Sequence, residues 1–162
     1  MNKLYARTLV WFLIMSLVVP FSLSAQPKPV YKQEELNQIL APIALYPDDL
    51  IAQVLMASTY PLEVVEAARW AKANSNLKGS QLAAALEKQS WDPSVKSLVN
   101  FPQVLSMMND QLDWTQKLGN AFLAQQKDVM NTIQSLRAKA QAQGNLKTTK
   151  EQKVVVQDQI IV

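Results

Sequence analysis

The chain contains no cysteine and no histidine. Without a thiol or an imidazole it cannot build a Ser-His-Asp or Cys-His nucleophilic system. Nor can it make an ordinary zinc or copper site from nitrogen and sulfur ligands. Disulfides and a lipid-carrying cysteine are excluded for the same reason, so any folded part holds together by its core. Glycine is scarce too, with three in 162 residues, against eight prolines. A chain so short of turn glycines and so supplied with prolines points to short helices punctuated by proline.

The amino terminus has the layout of an export signal. Lys3 and Arg7 give a basic start, an apolar run over residues 9–19 is broken only by Ser16, Pro20 ends it, and Ser22, Ser24 and Ala25 supply small residues. Cleavage is expected after Ala25. The alternative is an uncleaved anchor, but the run is well short of the roughly 20 residues that span a bilayer core. Removing residues 1–25 from the 162-residue chain leaves 137, enough for one domain. The formal charge of +3 then falls to about +1, because Lys3 and Arg7 leave with the signal. The remaining lysines are scattered among acids, without the basic stripe of a nucleic-acid binder. Lys147, Lys150 and Lys153 form the densest group and read as a solvated tail. No nucleic-acid partner is expected, and membrane contact is expected only through the signal before cleavage.

The chain divides into a signal (1–25), an extended leader (26–31), an array of short helices (32–109), a long helix (110–144) and a tail with strand propensity (145–162). Helices are expected over 32–40, 49–58, 61–74, 81–88, 93–99 and 102–108. Asp48 is the expected cap of the second, and Pro61, Pro93 and Pro102 stand at first-turn positions, where a missing N–H costs nothing. From 110 onwards no proline appears before the end. Trp114, Leu118, Phe122, Val129, Ile133, Leu136 and Ala140 form one stripe at helical spacing, interrupted by Gln125. Gly144 suits the left-handed conformation that closes such a helix. A helix of this length spans about 50 Å, whereas a domain of this size is roughly 37 Å across. It must bend near Gly119 or overhang its domain, and the unbroken phase of the stripe favours overhang. Val154-Val155-Val156 and Ile160-Ile161-Val162 read as two strands or a hairpin. Such strands are marginal alone, so the tail is expected to be unstructured or to pair with a partner's edge. The fold class is mostly α, with a short C-terminal β segment.

The string from Leu40-Ala41-Pro42 through Tyr46-Pro47-Asp48-Asp49-Leu50-Ile51 to Thr59-Tyr60-Pro61-Leu62-Glu63 resembles the DUF3300 family of exported bacterial proteins. Trp91-Asp92-Pro93-Ser94-Val95 and Phe101-Pro102-Gln103-Val104-Leu105 resemble further motifs of that family. The resemblance covers most of the chain beyond the signal. It implies a periplasmic, secreted or lipid-anchored protein with a helical segment followed by a β-containing region. It supplies no activity. Relatives are expected to continue in strand-like sequence, which makes this chain a short or truncated member.

Chemistry remains open only through carboxylates, a Ser-Lys pair or oxygen-ligand calcium. Glu34/Glu35, Asp48/Asp49 and Asp110/Asp113 sit at expected helix starts, where capping and the helix dipole account for them. A glycosidase would need two acids facing each other across a cleft. Asp48/Asp49 lacks the acid repeat and glycine of a calcium loop. Ser94 and Lys96, two apart, face different ways on a helix. No catalytic residue, metal ligand or cofactor is therefore assigned. Tyr46 and Tyr60 each precede a proline at a helix break, and Trp70 and Trp91 lie near helix ends. They plug corners between helices, or they form a shared aromatic groove for a peptide or glycan. Met56, Met107 and Met108 fill the core or soften such a surface. The expected function is that of a non-catalytic cell-envelope interaction or structural module. Its expected partner is another envelope protein, or a second copy held through the long helix. The rival is a carboxylate-dependent hydrolase acting on wall or glycan material.

Overall fold

A computed structural model describes residues 30–148, 154–157 and 160–161. The expected signal and most of the leader lie outside the described residues. Prolines set the helix starts. Pro61, Pro93 and Pro102 each occupy the first turn of a helix: α3 (Pro61–Ala73), α5 (Pro93–Leu98) and α6 (Pro102–Asp110). A residue before proline is pushed out of helical geometry by the ring. Tyr60 (φ −120°, ψ 59°) and Phe101 (φ −120°, ψ 66°) accordingly adopt nearly the same non-helical conformation. Asp92 caps α5 conventionally, its Oδ1 accepting from the Ser94 amide at 2.9 Å.

Before these come α1 (Gln33–Leu40) and α2 (Asp48–Ala57), and between α3 and α5 lies α4 (Gly79–Glu87). Asp48 differs from its expected role. It is the first residue of α2, makes no capping hydrogen bond, and turns its carboxylate to Arg137 instead, at 2.6 Å. The turn between α1 and α2 buries Ile43 and Ala44 fully, so it is part of the core. Two short strands, β1 (Val156–Gln157) and β2 (Ile160–Ile161), pair antiparallel with Val156 opposite Ile161 and Gln157 opposite Ile160. The mostly helical class with a small C-terminal β element is what the residues adopt. No helix among the described residues is long and apolar enough to cross a membrane.

The long helix α7 (Leu112–Ala142) organises the rest. α1, α2, α3 and α6 all pack on it, α3 lies against α6, and α2 against α5. One core runs through Leu36, Leu40, Val54, Leu55, Val64, Val95, Leu98, Leu105, Leu118, Val129 and Ile133. Gly119 permits the closest approach. A Cβ placed there would stand 2.2 Å from the backbone oxygen of Ser58, at the corner between α2 and α3. α7 neither bends at Gly119 nor runs straight. It breaks at Gln125, which has non-helical angles (φ −142°, ψ 46°). The reason is long-range: Gln125 Oε1 accepts from the Tyr31 amide at 2.7 Å and its Nε2 donates to the Tyr31 carbonyl at 3.2 Å. The glutamine side chain thus pairs with the chain entering α1.

Beyond the break α7 does not overhang. Its far half is covered by the turn after α1 and by β2, through Arg137, which is 3% exposed. Arg137 Nε donates to the Ala44 carbonyl at 2.9 Å and Nη2 to the Tyr46 carbonyl at 2.8 Å; Nη1 reaches the Ile161 carbonyl and the Asp48 carboxylate. Gln134 Oε1 accepts from the Ile161 amide at 2.9 Å. The tail, expected to be unstructured or to pair with a partner's edge, therefore folds back on its own helix over its described part. Gly144, at φ +73°, closes α7 in the left-handed conformation. The Asn145 amide reaches the Ala140 carbonyl and the Gly144 amide that of Gln141, the paired bonds of a Schellman end.

Candidate functional site

The four aromatic candidates do not share one groove. Tyr46 and Tyr60 flank the two ends of α2, which at ten residues is about 15 Å long. Tyr46 is half-buried, with its carbonyl held by Arg137. Tyr60 is 39% exposed at the α2–α3 corner. Trp70 and Trp91 do meet, edge to face, with ring centroids 5.9 Å apart and an interplanar angle of 81°. Trp91 is buried, and its Nε1 donates to Glu66 Oε2 at 3.1 Å. Of the methionines, Met108 is fully buried, Met107 half-buried and Met56 exposed.

Trp70 also borders open space. A cavity of about 430 Å³ is lined by Trp70, Asn74, Lys78, Leu82, Val99 and Asn100, among others. A larger one, about 640 Å³, lies between α3 and α6, with Arg69 and Lys72 on one wall and Ser106, Asn109 and Asp110 on the other. Ala71, Ser75 and Pro102 line both, so the two are chambers of one trough. Each chamber falls in the range of ligand-binding clefts, roughly 300–1,000 Å³. The trough arises because α3 presents small residues, Ala68 and Ala71, toward α6, followed by Ser75 in the turn after it, while α4 stands off beside the end of α3. α4 is anchored by one buried residue, Leu86.

Several carboxylates are engaged by neighbouring groups of the fold. Glu35 accepts from the Lys32 amide at 2.7 Å and Glu63 from the Asp92 amide at 2.6 Å. Asp110 accepts from Ser106 Oγ at 3.1 Å and, on its other oxygen, from Asn109 Nδ2 at 2.9 Å. Ser94 Oγ donates to Asp92 at 2.5 Å, which occupies the hydroxyl of the Ser-Lys candidate. Among the described residues no group of three or more acids is placed to hold a metal ion.

Sequence reasoning missed Arg69, Lys72, Lys78 and the asparagines of the trough. They are exposed or half-exposed polar residues with no pattern of their own, and only the packing of α3 on α6 brings them together. It also missed Arg137. The one available signal was its position four residues after Ile133, in phase with the buried stripe.

Fold and trough together define a class: a proline-punctuated all-α array closed by a β-ribbon, with a shallow polar cleft on one side. The chain belongs to the DUF3300 family, whose model matches residues 32–162 and is described as a protein of unknown function. A relative, the uncharacterized protein YacH of Escherichia coli (strain K12), is 46% identical over 142 residues. That match covers 84% of this chain and 23% of YacH, so the chain spans about a quarter of that relative's length. No solved structure matches the chain.

Proposed function

We propose that this protein is exported to the cell envelope and acts there, without catalysis, by binding other molecules through its helical domain. The export part rests on the order of basic, apolar and small residues over 1–25. The observation that most supports a binding role is the composition of the larger chamber of the trough. One carboxylate lines it, Asp110, and both oxygens of that group accept hydrogen bonds from neighbouring side chains. A carboxylate hydrolase needs a second acid across the cleft. α7 is a second contact surface in this reading. Leu123 and Met130, on either side of the break at Gln125, are 72% and 44% exposed on it, and exposed apolar side chains of this kind suit contact with another helix or a second copy.

Crosslinking in living cells, followed by identification of what is captured, tests this function. The expected result is a reproducible envelope partner or a crosslinked second copy, with the protein recovered in the periplasmic or extracellular fraction. Recovery from the cytosol would overturn the export reading. A strict monomer in light scattering that captures nothing would overturn the binding role.

A further inference from the structure

We infer that the trough between α3 and α6 is a binding site for a short, extended, acidic peptide segment of another protein. The inference rests on the interaction role proposed above, but not on α7 being the contact.

Charge supplies the first argument. Lys3, Arg7 and Lys28 all precede residue 30, so the chain from there on carries thirteen basic and thirteen acidic residues and is formally neutral. The trough is not neutral. Arg69, Lys72 and Lys78 line it against the single acid Asp110. Asp110 is engaged by Ser106 and Asn109, whereas the three cations form no salt bridge among the described residues. A locally cationic cleft on a neutral molecule attracts and orients an anionic partner.

Hydrogen-bonding capacity supplies the second. Three asparagines stand along the trough, and each donates its amide N–H to its own chain. Asn74 bonds the Trp70 carbonyl at 2.9 Å, Asn100 the Ser97 carbonyl at 3.3 Å, and Asn109 the Asp110 carboxylate at 2.9 Å. What each has left for a ligand is its carbonyl oxygen, an acceptor, and its second N–H, a donor. A partner that meets both of these groups brings N–H donors of its own as well as negative charge. Inorganic phosphate and sulfate bring charge without such donors; an acidic peptide in extended form brings both. Ala68, Ala71, Pro102 and the edge of Leu105 give a floor low in polarity, on which a peptide backbone and short side chains can lie. Trp70 has its ring engaged with Trp91, which disfavours the flat open platform that a sugar ring would use.

The test is fluorescence anisotropy of a dye-labelled decapeptide of alternating aspartate and threonine, titrated with protein purified from cells expressing the full-length chain. Saturable binding that weakens with salt is expected. Arg69→Glu and Lys72→Glu should each weaken it by about tenfold, since like charge at the rim repels the ligand. Ser75→Trp, an uncharged block at an exposed position lining both chambers, should weaken it by a similar factor. Lys127→Glu makes the same charge change on the outer side of α7 and should alter binding by less than about twofold if contact is local. Circular dichroism of each variant verifies the fold. Failure to saturate, equal loss in Lys127→Glu, equal binding of an asparagine-for-aspartate peptide, or tighter binding of a polyglucuronate chain would each overturn the peptide site. If the peptide fails while a captured partner crosslinks elsewhere on the molecule, the trough is refuted and the binding role stands. If nothing is captured and nothing binds, both fall.

Discussion

Two residues set how closely α7 can be approached and what its buried side tolerates. At Gly119 two effects of opposite sign compete. Alanine favours a helix over glycine by about 1 kcal/mol, but its Cβ would lie 2.2 Å from the Ser58 carbonyl oxygen. That neighbour is backbone and cannot swing aside, so the corner between α2 and α3 must move. Overpacking of this kind costs about 1–3 kcal/mol, and Gly119→Ala is expected to be destabilising on balance. A lower urea midpoint with an unchanged slope checks it; an unchanged or raised midpoint would mean that the corner yields freely. At Arg137 the question is which partner matters. Three carbonyls and the Asp48 carboxylate share the guanidinium. Asp48 is half exposed, and an ion pair open to water contributes about 0–1 kcal/mol. The carbonyls of Ala44, Tyr46 and Ile161 would be left without their donor if the guanidinium were removed, and unsatisfied buried acceptors cost about 1–3 kcal/mol each. Arg137→Met should therefore destabilise by roughly 3–5 kcal/mol and Asp48→Asn by less than about 1 kcal/mol. Equal losses in denaturant titrations would show that the ion pair dominates.

At the scale of elements, the break at Gln125 divides α7 into a first half that meets α2, α3 and α6 and a second that meets the turn after α1 and β2. The interruption is held from outside the helix, because Gln125 bonds both backbone groups of Tyr31, 94 positions away. Gln125→Leu keeps most of the volume and removes both bonds. It should raise amide exchange at Tyr31 by more than tenfold and cost about 1–3 kcal/mol, the penalty of an unmet buried donor. Exchange at Tyr31 as slow as in the unaltered protein would show that the break has another cause. The same contrast marks what could be read in advance. Helix starts at Pro61, Pro93 and Pro102 were legible because ring sterics act within two residues. So was the end at Gly144, whose left-handed angle is a local requirement. The break at Gln125 was not, because a glutamine inside an apolar stripe says nothing about a partner 94 residues distant. The trough fared likewise. Trp70 and Trp91 were visible as aromatics near helix ends, and so were Tyr46 and Tyr60, but only packing decided that the first two meet. Arg69, Lys72 and Asn109 looked like ordinary solvated positions until α3 lay beside α6.

At the scale of the whole molecule, the first and last of the described elements are both fastened to α7. Tyr31 is held at Gln125, the turn after α1 at Arg137, and β2 at Arg137 and Gln134. The attachment of β2 has a definite geometry. In an antiparallel pair, successive residues turn their N–H and C=O alternately toward and away from the partner strand. Ile161 directs both groups at α7 side chains, so Val156–Ile161 is the pair without mutual hydrogen bonds, and in the Gln157–Ile160 pair the backbone groups turn toward each other. The edge that β2 would otherwise expose is closed by the helix. Alternation agrees, since Ile161 is buried and Ile160 is 51% exposed. A two-stranded ribbon on its own is marginal in water, so its order depends on this attachment. Hydrogen exchange should then find the Ile161 amide protected far above the rate of an unstructured peptide. Gln134→Ala should raise its exchange by about tenfold, the value of one ordinary hydrogen bond, with little change in the core of α2 or α5. Arg137→Met should release the ribbon altogether and loosen the turn after α1 in step with it, because one guanidinium serves both. Loss of protection at Ile161 with the Ala44–Tyr46 turn unmoved would show that the two ends are fastened independently, and that Arg137 does not couple them.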